Sequence, residues 1–96
     1  MIENTYANNS AVGMLQEAAE TLKQRAILRD TLDGERSMAR CVEAFNAMYG
    51  AELTEEQGWM FMVMLKAARS ANGQPHPDDY VDGAAYFALA GESAIK

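Results

Sequence analysis

The sequence predicts an all-α fold, a compact bundle of about four helices in a single domain. Three observations favour it: apolar residues recur every three or four positions in four segments, β-branched residues are few, and alternating apolar–polar stretches bounded by turns are absent. The length of 96 residues fits one domain. We expect a flexible N-terminal arm over residues 1–9, a helical domain over residues 10–92 and a C-terminal tail over residues 93–96.

The first predicted helix covers residues 11–29, with Asn9 or Ser10 as its N-cap. Its apolar residues follow one another in alternating steps of three and four: Val12, Leu15, Ala19, Leu22 and Ala26. This spacing is typical of a helix that packs nearly parallel or antiparallel to a neighbour along one seam.

The second predicted helix covers residues 36–49 and follows a turn at Asp33-Gly34. Its apolar residues fall at helical spacing on one face: Met38, Cys41, Val42, Phe45, Met48 and Tyr49. We therefore expect Cys41 to be a core residue. Gly50 is placed to end this helix in a left-handed conformation.

Thr54-Glu55-Glu56-Gln57 has the pattern of a capping box and predicts a third helix that runs to about residue 71. Its central residues 59–65 are apolar on all sides, which indicates a helix packed by the others or by a partner chain. Pro77 is placed to open a fourth helix that runs to about residue 90. The small side chains of this region lie at Gly83, Ala84, Ala88 and Gly91, where another helix can approach closely.

The composition excludes several classes of protein. Acidic residues outnumber basic ones by 14 to 8, and a net charge of −6 gives no broad attraction for phosphate backbones, so we expect no direct nucleic-acid binding. One cysteine excludes a disulfide within the chain and a zinc site of four thiolates. No secretory signal and no apolar run near the roughly 20 residues of a membrane span are visible, so we expect a cytoplasmic protein without membrane contact.

Two charged pairs form the main candidate site. Lys66 and Arg69 are three residues apart on the third helix, and Asp79 and Asp82 are three apart on the fourth. An antiparallel hairpin between these helices would bring the pairs together. One interpretation is a set of interhelical salt bridges that fixes the register of the bundle. The other is an anion or nucleotide-phosphate site on Lys66 and Arg69, with the acids orienting them or holding a metal ion.

Other chemistry has weaker support in the sequence. Asp79 and Asp82, with Asp78, offer carboxylate oxygens to a magnesium ion, but acids at a helix start also complement the helix dipole. His76 lies in a loop without a nucleophilic partner nearby in sequence, and a core Cys41 is inaccessible. We therefore name no catalytic residue and expect no firmly bound cofactor.

The apolar residues of the third helix have two interpretations. Alternating residues on a helix cannot all face one core, so part of this set, Trp59, Met60, Met62 and Met64, is predicted to form a homodimer interface or a groove for a partner protein. The small-residue face of the fourth helix is the alternative dimer contact. Glu35 and Arg36, in the charged turn before the second helix, are candidates for a surface recognition loop.

The chain resembles an uncharacterised family of small bacteriophage and prophage proteins over about residues 25–92. The resemblance rests on Gly34-Glu35-Arg36-Ser37-Met38, Val42 through Phe45-Asn46, Leu53-Thr54, Gly58-Trp59, Leu65-Lys66 through Arg69-Ser70, residues 78–86, and Ala88-Leu89-Ala90-Gly91-Glu92. It implies a phage origin and a bacterial host cytoplasm, and it carries no established activity.

The chain is also similar, more distantly, to the all-α nucleotide pyrophosphatases of the MazG type. That family places two acids three apart on one helix and two more on the next, around magnesium. Asp79 and Asp82 match the second pair, whereas Lys66 and Arg69 stand in place of the first. Because these bases cannot ligate magnesium, the resemblance implies at most a degenerate metal site.

Two functions remain from the sequence. The first is a phage accessory protein, without catalysis, that binds a host or phage protein, for example as a counter-defence inhibitor. The second is a MazG-like protein that binds or hydrolyses nucleotides. Small size, acidity, surplus methionine and the lack of a complete catalytic constellation favour the first.

Overall fold

The computed structural model describes residues 7–29 and 37–96, and these ranges contain four α-helices and no β-strand. The helices are α1 (Ala11–Arg29), α2 (Ser37–Tyr49), α3 (Glu55–Ser70) and α4 (Pro77–Ile95). The predicted all-α fold is confirmed. The predicted turn at Asp33-Gly34 and most of the N-terminal arm lie outside the described residues.

The helix bounds agree with the sequence prediction except at the end of α4. This helix passes through Gly91 and continues to Ile95, so most of the predicted C-terminal tail is helical. Gly91 has no atom within 4 Å of its Cβ position, and the residues after it are compatible with a helix. A glycine near the end of an apolar pattern therefore does not stop this helix.

Local hydrogen bonds fix the connection between α2 and α3. The capping box is present: Thr54 Oγ1 accepts from the Gln57 amide at 3.1 Å, and Gln57 Oε1 accepts from the Thr54 amide at 3.0 Å. Gly50 ends α2 with φ 63°, a conformation that glycine adopts without steric cost. The Asn46 side chain bonds both backbone groups of Leu53 across the turn, so the hairpin has one defined geometry.

The antiparallel hairpin of α3 and α4 forms the centre of the molecule, with α2 against α3 and α1 against α4. The starts of α1 and α4 lie together, because Gly13 and Gln16 line the same cavity as Pro77 and Asp78. Further along, Leu22 packs against the cluster that contains Leu89. The helices α1 and α4 therefore run parallel.

The core is small and has two parts. The first joins α2, α3 and α4 and contains Met38, Val42, Trp59, Leu89 and Ala90. The second joins α1 and α4 and contains Ala18, Val81 and Ala85. Trp59 is 4% exposed, its ring stacks on Tyr86 at 5.8 Å, and its Nε1 donates to Glu55 at 3.3 Å. This side chain is the largest that the core encloses.

Two expectations about the core are wrong. Only part of the predicted seam of α1 meets the core: Leu22 packs against both core clusters, whereas Leu15 is 60% exposed and Val12 is 42% exposed. Ala18, which lies outside the predicted seam, is buried instead. On α2, Met38 and Val42 are buried but Cys41 is exposed. In both helices the apolar stripe is wider than the single neighbour that packs on it, so part of the stripe faces solvent.

Candidate functional site

The charged residues of the α3–α4 hairpin meet at one ion pair. Lys66 Nζ lies 3.0 Å from Asp82 Oδ2, and the two side chains are 13% and 24% exposed. At Gly83 a Cβ atom would lie 3.7 Å from Lys66 Cβ, an ordinary contact distance, so the approach of the two helices does not depend on glycine here. The pair therefore closes the seam between the helices in the half of the hairpin nearer the α3–α4 loop.

The other two residues of the predicted site do not join this pair. Arg69 is exposed and Asp79 is half-buried, and no ion pair connects them in the part of the chain that the structure describes. Three helical steps advance about 300°, so Arg69 is turned about 60° around α3 from Lys66. The salt-bridge interpretation thus applies to Lys66 and Asp82, while Arg69 points to solvent.

A shallow cavity of about 240 Å³ lies beside the ion pair, with Val63, Ser70, Asp79 and Tyr80 among its lining residues. Lys66 also borders it, but its ammonium group is already neutralised by Asp82. An anion bound here would compete with a carboxylate 3.0 Å from the same nitrogen. The geometry favours a closed structural contact over an open phosphate site.

The predicted metal ligands are not gathered into one group. Within residues 7–29 and 37–96, no three His, Cys, Asp or Glu side chains are placed to hold a metal ion together. Asp78 is exposed in the first turn of α4, where its charge complements the helix dipole. His76 precedes this helix as its N-cap residue, and its side chain makes no capping hydrogen bond.

We expect the Lys66–Asp82 pair to contribute to stability. A double-mutant cycle of Lys66→Ala and Asp82→Ala should give a coupling energy of about 1 kcal/mol, because each single change leaves a charge in a partly buried seam. The measurement is the free energy of unfolding in urea, followed by Trp59 fluorescence. The control cycle of Arg69→Ala and Asp79→Ala should give no coupling energy. If the cycle of Lys66 and Asp82 gave no coupling energy either, the ion pair would be refuted.

The predicted interface residues of α3 divide between core and surface. Trp59 belongs to the core of the chain itself, and Met60 and Met62 are half-buried against that core. Met64 is 57% exposed and remains available to a partner. Glu35 and Arg36 lie outside the described residues.

Sequence reasoning predicted exposed apolar residues on α3, Met64 among them, but missed those on α2. On α2 the exposed apolar surface contains Cys41, Phe45 and Met48, at positions i, i+4 and i+7 of one face, and on α3 it contains Phe61, Met64 and Leu65. We call these six residues the α2–α3 surface. Phe61 lies two helical steps, about 200°, from Trp59, so this surface faces away from α4. Six apolar positions on a helix of 13 residues were the signal for it, since one neighbour cannot cover them all.

The α2–α3 surface contains large side chains that are exposed. Met48 is 77% exposed, Phe61 67% and Phe45 43%. The Phe45 and Tyr49 rings contact each other with centroids 4.9 Å apart, which gives this end of α2 an aromatic edge. None of the six residues carries a charge, so the surface has the composition of the centre of a protein–protein contact.

Among the described residues, no helix is both long enough and apolar enough to span a membrane. Residues 13–94 match a protein family described as Domain of unknown function (DUF6378). No curated protein and no solved structure matches the chain.

Proposed function

We propose that this chain, which belongs to the DUF6378 family over residues 13–94, is a protein-binding module that acts without catalysis as a homodimer. The α2–α3 surface is the observation that carries the proposal. It offers Met48 and Phe61, both more than half exposed, on two successive helices joined by a turn that side-chain hydrogen bonds fix. A rigid apolar face of this kind stabilises a complex by burial of its large side chains.

The chemical composition of the α2–α3 surface indicates what kind of partner would bind it. The contact centre is apolar and rich in methionine, which adapts to differently shaped partners. Exposed carboxylates stand at the turn end of the two helices, at Glu52 and Glu56, and the whole chain carries a charge of −6. The partner we propose is therefore a protein segment with an apolar helical face bordered by Lys or Arg.

The resemblance to small bacteriophage and prophage proteins supports a biological setting for this binding. In that setting the chain is a phage accessory protein in the bacterial cytoplasm. Its partner is a host or phage protein, and inhibition of a host defence protein is one such role. The α3–α4 ion pair supports this function over nucleotide chemistry, because Lys66 and Asp82 neutralise each other instead of facing a ligand.

The test is partner capture that depends on the α2–α3 surface. Tagged chain retains proteins from a lysate of the bacterial host, and each retained protein is purified and titrated against the chain. We expect the double variant Met48→Lys, Phe61→Lys to raise the Kd at least about 100-fold, because two contact-centre side chains are lost and two cations face a basic partner. Binding of the unaltered chain should weaken as salt is added.

The matched control is Ala47→Lys, an exposed position on α2 next to Met48 but turned about 100° from it. We expect this variant to keep the Kd within about threefold, since surface substitutions away from the contact have small effects. Equal binding by both variants would overturn the proposal. Magnesium-dependent release of pyrophosphate from a nucleoside triphosphate, lost in Asp82→Asn, would instead favour the MazG-type function.

A further inference from the structure

The exposed sulfur-containing residues of the chain are concentrated on the α2–α3 surface. Among the described residues, Met48 and Met64 are the only exposed methionines, at 77% and 57% exposure. Cys41, the single cysteine of the chain, is exposed on the same surface. Three of the six residues that define this surface therefore contain sulfur.

The other exposed large apolar residues of the described ranges contain no sulfur. On α1 and α4 they are valine, leucine, isoleucine, tyrosine and phenylalanine. The remaining described methionines are covered: Met38 is 8% exposed in the core, and Met14, Met60 and Met62 are half-buried. An oxidant in solution thus meets thioether sulfur first at the α2–α3 surface.

We infer that Met48 and Met64 are modification sites, at which a peroxide converts each thioether to a sulfoxide and thereby blocks the α2–α3 surface. The inference rests on the proposed function and adds the regulation of its binding surface. The thioether sulfur attacks one oxygen of the peroxide, and the O–O bond breaks as the S–O bond forms. The hydrogen on the transferred oxygen passes as a proton to the leaving oxygen, which departs as water or an alcohol. Sulfur is oxidised by two electrons, and the peroxide is reduced by two.

A sulfoxide changes what the α2–α3 surface can bind. The methionine thioether is apolar and flexible, whereas its sulfoxide has a polar S–O bond that accepts hydrogen bonds. An apolar partner face offers no donor at the contact centre, so each buried sulfoxide would lose its water without replacement. Met48 and Met64 belong to neither core cluster, so the fold is kept. Methionine sulfoxide reductases restore the thioether, which makes the block reversible.

The first measurement locates the oxidation. Purified chain is treated with hydrogen peroxide for increasing times, and peptide mass spectrometry follows the gain of about 16 Da at each methionine. We expect Met48 and Met64 to react first and Met38 last, with an unchanged helical circular dichroism spectrum. Equal rates of oxidation at Met38 and at the two surface methionines would overturn the inference.

The second measurement is the Kd of a partner before and after peroxide treatment of the chain. The probe is a purified protein, retained from the host lysate, whose Kd rises with Met48→Lys, Phe61→Lys, and the peroxide is removed before this protein is added. We expect oxidation to raise the Kd at least about tenfold and methionine sulfoxide reductases to lower it again. The double variant Met48→Leu, Met64→Leu has no thioether on this surface. Peroxide should leave its Kd unchanged, whatever the value before treatment.

Three results would overturn the regulation while leaving the proposed function, because binding by the untreated chain is the reference. They are an unchanged Kd after oxidation, an equal loss of binding in the leucine variant, and recovery with dithiothreitol alone, which would assign the effect to Cys41. If the untreated chain retains no protein, the proposed function fails and the regulation fails with it. The order of oxidation would still show whether Met48 and Met64 are the modification sites.

Discussion

Replacing Trp59 with alanine is expected to remove about 3–5 kcal/mol of stability. Trp59 is the one large aromatic side chain enclosed by α2, α3 and α4, and its removal leaves Met38, Val42 and Leu89 around a cavity. The stacked Tyr86 ring loses its partner at the same time. Because a domain of this size is stable by only about 5–14 kcal/mol, we expect the variant to be marginally folded at 25 °C.

The measurement for Trp59→Ala is urea denaturation followed by far-ultraviolet circular dichroism, at one fixed protein concentration because the chain is proposed to dimerise. Phe61→Ala is the matched control: it removes an aromatic ring from the same helix at a position that is 67% exposed. We expect this control to change the free energy of unfolding by at most about 0.5 kcal/mol. Similar losses for the two variants would contradict the assignment of Trp59 to the core.

Replacing Gly58 with valine is expected to lower stability by about 3 kcal/mol, at the upper end for overpacked sites. A Cβ atom at this position would lie 2.5 Å from Met38 Sδ and 2.8 Å from Val42 Cγ1. The Met38 side chain can rotate away, but the branched Val42 side chain has one favoured rotamer in a helix. The backbone of α2 must therefore move, and Met38 and Val42 lose part of their burial.

Alanine substitutions at two glycines give a matched comparison for this effect. Gly58→Ala should lower the free energy of unfolding, because the same contacts with Met38 and Val42 are too short for a methyl group. Gly83→Ala should raise it by about 0.5–1 kcal/mol, because the new methyl group meets Lys66 at an ordinary distance and alanine favours a helix. The readout for both is urea denaturation monitored by Trp59 fluorescence. If the two substitutions changed the free energy of unfolding in the same direction, the packing argument would be refuted.

The features that depend on neighbouring residues were predictable from the sequence. The capping box at Thr54, the left-handed Gly50 and the first helical position of Pro77 all occur as expected. Each of these is decided by bonds within a few residues, so the local sequence contains the required information. The number of helices and their bounds, except the end of α4, follow from the same signals.

The rotation of each helix about its axis was not predictable. The spacing identifies an apolar stripe on α1, but Ala18 rather than Leu15 meets α4. For the same reason, Cys41 on α2 was expected in the core, whereas the structure places it at the surface. A stripe can be wider than its neighbour, and only the tertiary arrangement decides which edge is buried.

The side-chain contacts of the charged site were also only partly predictable from the sequence. The hairpin register, which brings the last third of α3 beside the first third of α4, followed from the loop length and the antiparallel order. That register places Lys66 beside Asp82, but the direction of Arg69 depends on about 60° of rotation around α3. Two bases three residues apart therefore gave one ion pair and one solvated side chain.

The order of the helices along the chain affects when the core can form during synthesis on the ribosome. Among the described helices, α1 is translated before the other three but packs against α4, which is translated after them. At a translation rate of about 5–20 residues per second, Val81 and Ala85 are synthesised several seconds after Met14 and Ala18, with which they form a core cluster. Nascent chains that stop short of α4 leave the core residues of α1 and one side of Trp59 uncovered. Such chains remain open to proteases until α4 is synthesised and packs.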